Sequence, residues 1–260
     1  MMGRFFIFIL SVCFLSVTAS AQSLVKKAED AYMSDKYGEA ISIYQEVMQK
    51  EGVSSDLYYN MGNAYYKSGQ LGKAVLFYER ALLLNPNNAD AQVNLDFVKT
   101  KLVDKMAFSE NIVDSFVKSF RNITTPNGWS VIAIVSFLLI LVAVAVYFFN
   151  GNVLLRKIGF FGGFAFIVIC IVANVMAVKT AGAFEDSRFA VVMKPVSILS
   201  TSPREPKSKL EEAFVLHEGT KIELLDSVEV KIDSVAQKWF DVKADDTHRA
   251  WIKASDMEKI

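Results

Sequence analysis

Few residues in this chain have the types and spacing for bond-making chemistry. His217 and His248 stand 31 positions apart, with no cysteine or acidic cluster at ligand spacing around them, so no zinc site or other metal is expected. Cys13 and Cys170 both lie inside apolar runs. The remaining segments hold no cysteine, and no catalytic sequence surrounds either histidine, so neither an enzyme nor a cofactor site is expected. What is left is recognition chemistry: the indoles of Trp239 and Trp251 near the end of the chain, and amides, lysines and tyrosine rings in its first half.

The elements that must hold these groups differ in character along the chain. Of 260 residues, 28 are basic and 28 acidic. Residues 22–128 carry 12 basic and 13 acidic groups, and residues 179–260 carry 13 and 15, so no bulk charge draws either part to nucleic acid. An apolar fraction of 52% is high for a soluble domain, and the excess sits in three places. At the start, Arg4 precedes an apolar run from Phe5 to Val17, followed by Ala19, Ser20 and Ala21. This is the pattern of a signal peptide over residues 1–21, and cleavage after Ala21 would leave Cys170 without a disulfide partner.

The other two are Trp129–Phe149 and Ile158–Val178, each 21 residues without a charged side chain. At about 1.5 Å per residue, each is long enough to cross a ~30 Å hydrocarbon core. They predict a transmembrane hairpin, 129–149 and 158–178, joined by a loop over 150–157. Arg156 and Lys157 place that loop in the cytoplasm under the positive-inside rule, so both flanking domains are expected on the outer side of a bacterial cytoplasmic membrane. Gly159 and Gly163 fall four apart on one helix face and predict close helix packing.

The segment Leu24–Pro86 repeats with a period of 34 residues: Gly38, Ala40, Tyr44 and Val47 recur as Gly72, Ala74, Tyr78 and Ala81. In the second copy, Tyr58, Met61, Gly62, Tyr65, Ala74, Tyr78, Ala81 and Pro86 alternate broad rings with small residues, as two closely packed antiparallel helices require. Asn88 can cap a further helix carrying Ala91, Leu95, Val98 and Leu102. This pattern resembles the tetratricopeptide repeat, and predicts such a domain with a closing helix over residues 22–106. The resemblance implies a peptide- or helix-binding concave face lined by Tyr32, Tyr59, Asn63, Tyr66, Lys67, Phe97 and Lys101. There an asparagine amide can hold peptide backbone through paired hydrogen bonds, and a lysine can meet a carboxylate. A tyrosine at helical spacing can equally be core. With barely two repeats the groove would be shallow, and self-association or a partner is expected to complete the stack.

Over residues 107–128, Phe108, Ile112, Val113, Phe116, Val117 and Phe120 have helical spacing. They predict an amphipathic connector that either lies in the membrane interface or docks on the repeats. After a linker over 179–187, residues 188–260 alternate apolar stretches with turns and predict a small β domain. Its landmarks, Ala190–Val192, Pro195, Leu216, Gly219, Ile222, Trp239, Phe240, Val242 and Trp251, resemble bacterial SH3-like barrels, with Ala250 where a glycine commonly precedes the late tryptophan. Strand alternation puts Phe240 and Val242 in the core and points Trp239 outward. Trp239 and Trp251 are then candidates either for an aromatic groove that binds peptide or cell-wall stem peptide, or for a cover over a thin core.

The whole order resembles the BatE-type proteins of the aerotolerance operon of Gram-negative bacteria. The fold class expected is a multi-domain membrane protein of helical repeat hairpins, a two-helix transmembrane hairpin and a small all-β barrel. The resemblance implies a non-enzymatic adaptor in a complex with other membrane proteins, including those of the von Willebrand A type. A cell-wall-associated regulator whose barrel touches peptidoglycan is the alternative. A peptidoglycan hydrolase would need a nucleophile or metal, and a transmembrane sensor would need more than about eight cytoplasmic residues for its output.

Overall fold

In a computed structural model the described residues are 24–105, 116, 119–120, 122–185, 188–232 and 235–260. The predicted signal peptide and most of the amphipathic connector lie outside them. The described chain divides into two compact units, one built from the repeat segment and the β domain, the other from the two long apolar helices.

In the first unit, a helix over residues 24–33 (α1) and Tyr37–Glu51 (α2) form one hairpin, and Ser55–Lys67 (α3) and Leu71–Leu84 (α4) form the next. Ala89–Lys99 (α5) follows. Ser54 caps α3 by accepting the Leu57 N–H at 3.1 Å, and Asn88 caps α5 by accepting the Ala91 N–H at 3.0 Å, each satisfying a donor that a helix start leaves unpaired. The repeated small residues do what the 34-residue pattern requires. Ala28, Ala40, Ala74 and Ala81 are fully buried, and a Cβ added at Gly62 would come within 2.7 Å of the Tyr78 ring. Tyr65 stacks on Phe77 with ring centres 5.1 Å apart.

The rest of this unit is a curled antiparallel sheet of seven strands, a half-barrel in the order β3-β2-β6-β5-β4-β1-β7. The strands are Phe189–Val192 (β1), Val196–Ser200 (β2), Glu212–His217 (β3), Lys221–Ile232 (β4), Val235–Lys243 (β5), Arg249–Lys253 (β6) and Met257–Lys259 (β7). Val192, Leu199, Leu216, Ile222, Phe240, Val242 and Ile252 fill its concave side. In β4 the register shifts between Leu224 and Asp226, leaving Leu225 as the extra residue opposite β5; Leu224 is buried and Leu225 44% exposed.

Alternation along β5 sends Phe240 and Val242 into that core, as expected, but the opposite face is covered too. Trp239 is 2% exposed, which corrects its assignment as an outward platform. Lys253 stands directly opposite Trp239 in the ladder and binds Glu205 at 3.0 Å, bringing the β2–β3 loop to this face. Asp241, buried on the same side, is neutralised by two-pronged hydrogen bonds from the Arg249 guanidinium at 2.6–3.2 Å. Trp251 is half-buried, and its neighbour in the proposed groove is closed to a ligand.

The repeat lobe and the β lobe are joined by charge and by one tight apolar contact. The Gly72 N–H, at the positive end of α4, donates to the Glu218 carboxylate at 3.4 Å. Lys73 pairs with Glu258, and Arg80 reaches Glu258 at 3.2 Å and donates to the Lys259 carbonyl at 2.5 Å. Glu79 accepts from Lys221 at 2.7 Å and from Lys99 at 3.2 Å. Beyond α5, Leu102 packs on Gly219, and Asp104 accepts the His217 N–H at 2.6 Å and the Thr220 hydroxyl at 2.7 Å. In a longer repeat stack a further helix would pack beside α4 and α5. Here the β lobe of the same chain packs on α4 through these contacts.

In the second unit, Pro126–Phe149 (α6) and Val153–Glu185 (α7) pack antiparallel. Both are long and apolar enough to cross a membrane, over Asn127–Phe149 and Val153–Thr180. The turn is only residues 150–152, so Arg156 and Lys157 lie in the first turns of α7 rather than in a loop. The helix also runs through most of the expected 179–187 linker, because nothing in that stretch interrupts backbone hydrogen bonding. Gly159 and Gly163 face α6: added Cβ atoms would meet the Ala143 carbonyl oxygen at 2.9 Å and the Ala143 Cβ at 3.3 Å. The Asn174 amide donates to the Cys170 carbonyl one turn back at 2.8 Å, which satisfies its polarity within its own helix.

Candidate peptide-binding groove

Positions four and seven apart on a helix share a face. Tyr59, Asn63, Tyr66 and Lys67 therefore line one side of α3; Phe97 lies on α5, and Lys101 in the turn just past its end. These two faces come together. The Tyr66 and Phe97 rings meet edge-on at 5.9 Å, and the Lys101 ammonium sits 4.9 Å from the centre of Phe97 and 5.9 Å from that of Tyr66, close enough for cation–π attraction. Lys67 is exposed beside them.

Asn63 lies at the middle of the surface, and its carbonyl oxygen is already occupied. It accepts the Tyr78 hydroxyl at 2.6 Å and the Asn94 amide at 2.8 Å, and that amide also lies 3.5 Å from the Tyr59 hydroxyl. This corrects the expectation that Asn63 alone offers paired hydrogen bonds to a peptide. Among the described residues its Nδ2 donates to no partner and the carbonyl oxygen of Asn94 accepts no hydrogen bond, so the acceptor for a peptide would come from Asn94. The donor–acceptor pair is thus split between α3 and α5. Asn94 was absent from the sequence-derived surface, although its spacing of three and seven from Phe97 and Lys101 places it on their face.

On the α1 side the groove deepens into a cleft of about 230 Å³ lined by Glu29, Tyr32, Met33, Tyr44, Asn60 and Asn63. Met33 is 81% exposed at its rim. Burial pushes the Tyr44 hydroxyl up to about 12 and raises those of Tyr32 and Tyr78. All three remain neutral donors near pH 7, so charge in the groove comes from Glu29 at one end and Lys67 and Lys101 at the other.

The back of α5 is held by the β lobe. Burial pushes the Glu79 carboxyl up, but Lys221 and Lys99 outweigh it and hold the group below its ordinary value. Asp104 is likewise lowered: burial acts to raise it, and hydrogen bonds from Thr220 and from the His217 backbone and ring overcome this. A carboxyl that titrates lower in the folded chain contributes stability above its unfolded value and loses it as pH falls through the folded one. Contacts between the lobes should therefore loosen below about pH 4, where free carboxyls protonate. Hydrogen exchange of α5 measured from pH 7 down to 3 should rise in that window and stay flat above it.

Comparison with curated proteins gives no match. The tetratricopeptide-repeat family model matches residues 55–88, which span α3, α4 and the turn after them, and the helical lobe therefore contains a tetratricopeptide repeat.

Proposed function

We propose that this protein is a non-enzymatic adaptor, anchored in a bacterial cytoplasmic membrane by α6 and α7, whose repeat lobe holds an extended segment of a partner protein. The observation that carries the reading is the groove between α3 and α5, where unused amide donors and an unused amide acceptor lie beside an aromatic pair and two lysines. Such a surface suits a peptide with its backbone across Asn63 and Asn94 and a carboxylate near Lys67 and Lys101. Two spans return the chain to the side it left, in keeping with two lobes that contact one another within one unit. The basic residues near the helix turn and the apolar amino terminus favour the outer side for both.

In this reading the half-barrel is SH3-like and serves chiefly to complete the repeat stack. Burial of Trp239 weighs against its alternative use as a stem-peptide binder. The partners are other membrane proteins of a Bat-type complex, with a role in envelope stress or aerotolerance. The test is crosslinking in membranes followed by purification in detergent. Co-purifying membrane proteins should fall about tenfold or more for Lys67→Ala with Lys101→Ala, which remove exposed side chains only, and at least as much for Asn63→Ala with Lys67→Ala. Unchanged recovery with both variants would reject the groove, and cleavage of muropeptides by the pure protein would reject the non-enzymatic reading.

A further inference from the structure

At the turn of the apolar hairpin is a cleft of about 360 Å³ that the adaptor reading does not use, lined by Tyr147, Val153, Arg156, Lys157, Phe160 and Phe161. Its walls are apolar: Phe160 and Phe161 are 58% and 69% exposed, and Val153 64%. The Arg156 guanidinium lies 5.3 Å from the centre of the Tyr147 ring, and the Tyr147 and Phe160 rings approach to 6.1 Å. Close approach of the helices at Gly159, against the Ala143 carbonyl and the Tyr147 N–H, brings the ring of one helix to the cations of the other. Neither Arg156 nor Lys157 has an acidic partner among the described residues, and the chain carries no aspartate or glutamate between residues 115 and 184. Two cations at the end of two uncharged spans, without an acidic partner among the described residues, therefore suit an anion from outside the chain, at the depth where apolar walls give way to polar surroundings.

The geometry points to this cleft as a binding site for one anionic phospholipid, with its phosphodiester between Arg156 and Lys157 and an acyl chain along Val153, Phe160 and Phe161. A planar guanidinium meets phosphate oxygens with two parallel hydrogen bonds, while the ammonium adds a point charge. The apolar lining distinguishes a lipid from a free phosphate, since only the former has chains to cover it. The inference rests on α6 and α7 spanning a membrane.

The full chain would be reconstituted in phosphatidylcholine bilayers doped with phosphatidylglycerol, extracted in mild detergent, and examined by native mass spectrometry for retained lipid. The expected result is preferential retention of phosphatidylglycerol by about tenfold, as two basic groups near an anionic headgroup predict, falling to parity in Arg156→Gln with Lys157→Gln. Glycerophosphoglycerol, the headgroup without chains, should not displace the lipid. Equal retention of both lipids by the wild-type chain, a preference that survives the double variant, or displacement by the headgroup alone would each overturn the site. Carbonate extraction of the same membranes reports separately on spanning: release of the wild-type chain from the bilayer would defeat the membrane reading itself, whereas a retained chain without lipid preference would defeat only the site.

Discussion

Replacing Glu79 with alanine is expected to weaken the first unit by about 2–3 kcal/mol and to loosen the contact of β4 with α4 and α5. Glu79 is 11% exposed and pairs with two lysines that the chain brings from opposite directions, Lys99 on α5 and Lys221 on β4. Removing one partner of a buried pair leaves charge without compensation, which costs about 3–5 kcal/mol when all partners are buried. Lys221 and Lys99 keep 31% and 44% of their side-chain surface, so water screens part of that loss. Hydrogen exchange in detergent should show α5 and the start of β4 opening together in Glu79→Ala. A variant in which α5 and β4 keep wild-type protection would mean that the lobes are held by something other than this charge cluster.

The second large effect is expected at Gly219, where two independent penalties meet. Its backbone sits at φ +86°, a conformation that a β-branched residue adopts only at a cost of about 1–2 kcal/mol or more. A Cβ there would also lie 2.5 Å from the Leu102 Cδ2 atom; the end of that side chain can shift, so this overpacking adds about 1 kcal/mol, the low end for a buried site. Gly219→Val should therefore destabilise the unit by about 2–4 kcal/mol. Trimming the neighbour separates the two causes: adding Leu102→Ala should recover the steric part and leave the backbone part. If the double variant is no better than the sum of the single ones, Leu102 does not press on this turn, and the account of the interlobe contact fails at its apolar point.

The legibility of these features in the sequence followed their physical origin. Helical repeats announce themselves because close packing demands small residues at fixed intervals, so Gly38, Ala40 and Tyr44 reappear as Gly72, Ala74 and Tyr78 wherever the geometry recurs. The apolar helices were visible because each excludes charge over some twenty residues, but their ends were not. A helix does not stop where hydropathy does, and Arg156 and Lys157 continue α7 without breaking a hydrogen bond. Alternation in β5 sorted Phe240 from Trp239 correctly, yet it could not tell that the second face would be covered, because burial of that face depends on contacts outside the strand.

The joint between the lobes was hidden for a different reason. Lys73, Glu79, Arg80, Lys221 and Glu258 read singly as solvated surface charges, and their complementarity exists only once α4 lies against β4 and β7. The groove was half visible for the same reason. Its aromatic and lysine positions follow from helical spacing within α3 and α5, while the diversion of the Asn63 carbonyl to Tyr78 and Asn94 depends on three helices meeting. Hydrogen-bond competition of that kind is set by tertiary contacts that no single periodicity records.

The proposed function places both lobes, as one body, on the outer side of the membrane, tethered there by α6 and α7. Single cysteines introduced as Asp56→Cys in the repeat lobe or Glu229→Cys in the β lobe, with Cys13 and Cys170 replaced by serine, test it directly through labelling of intact spheroplasts with a membrane-impermeant maleimide. The account predicts that both positions react before lysis. Reaction of either one only after the cells are broken would contradict it.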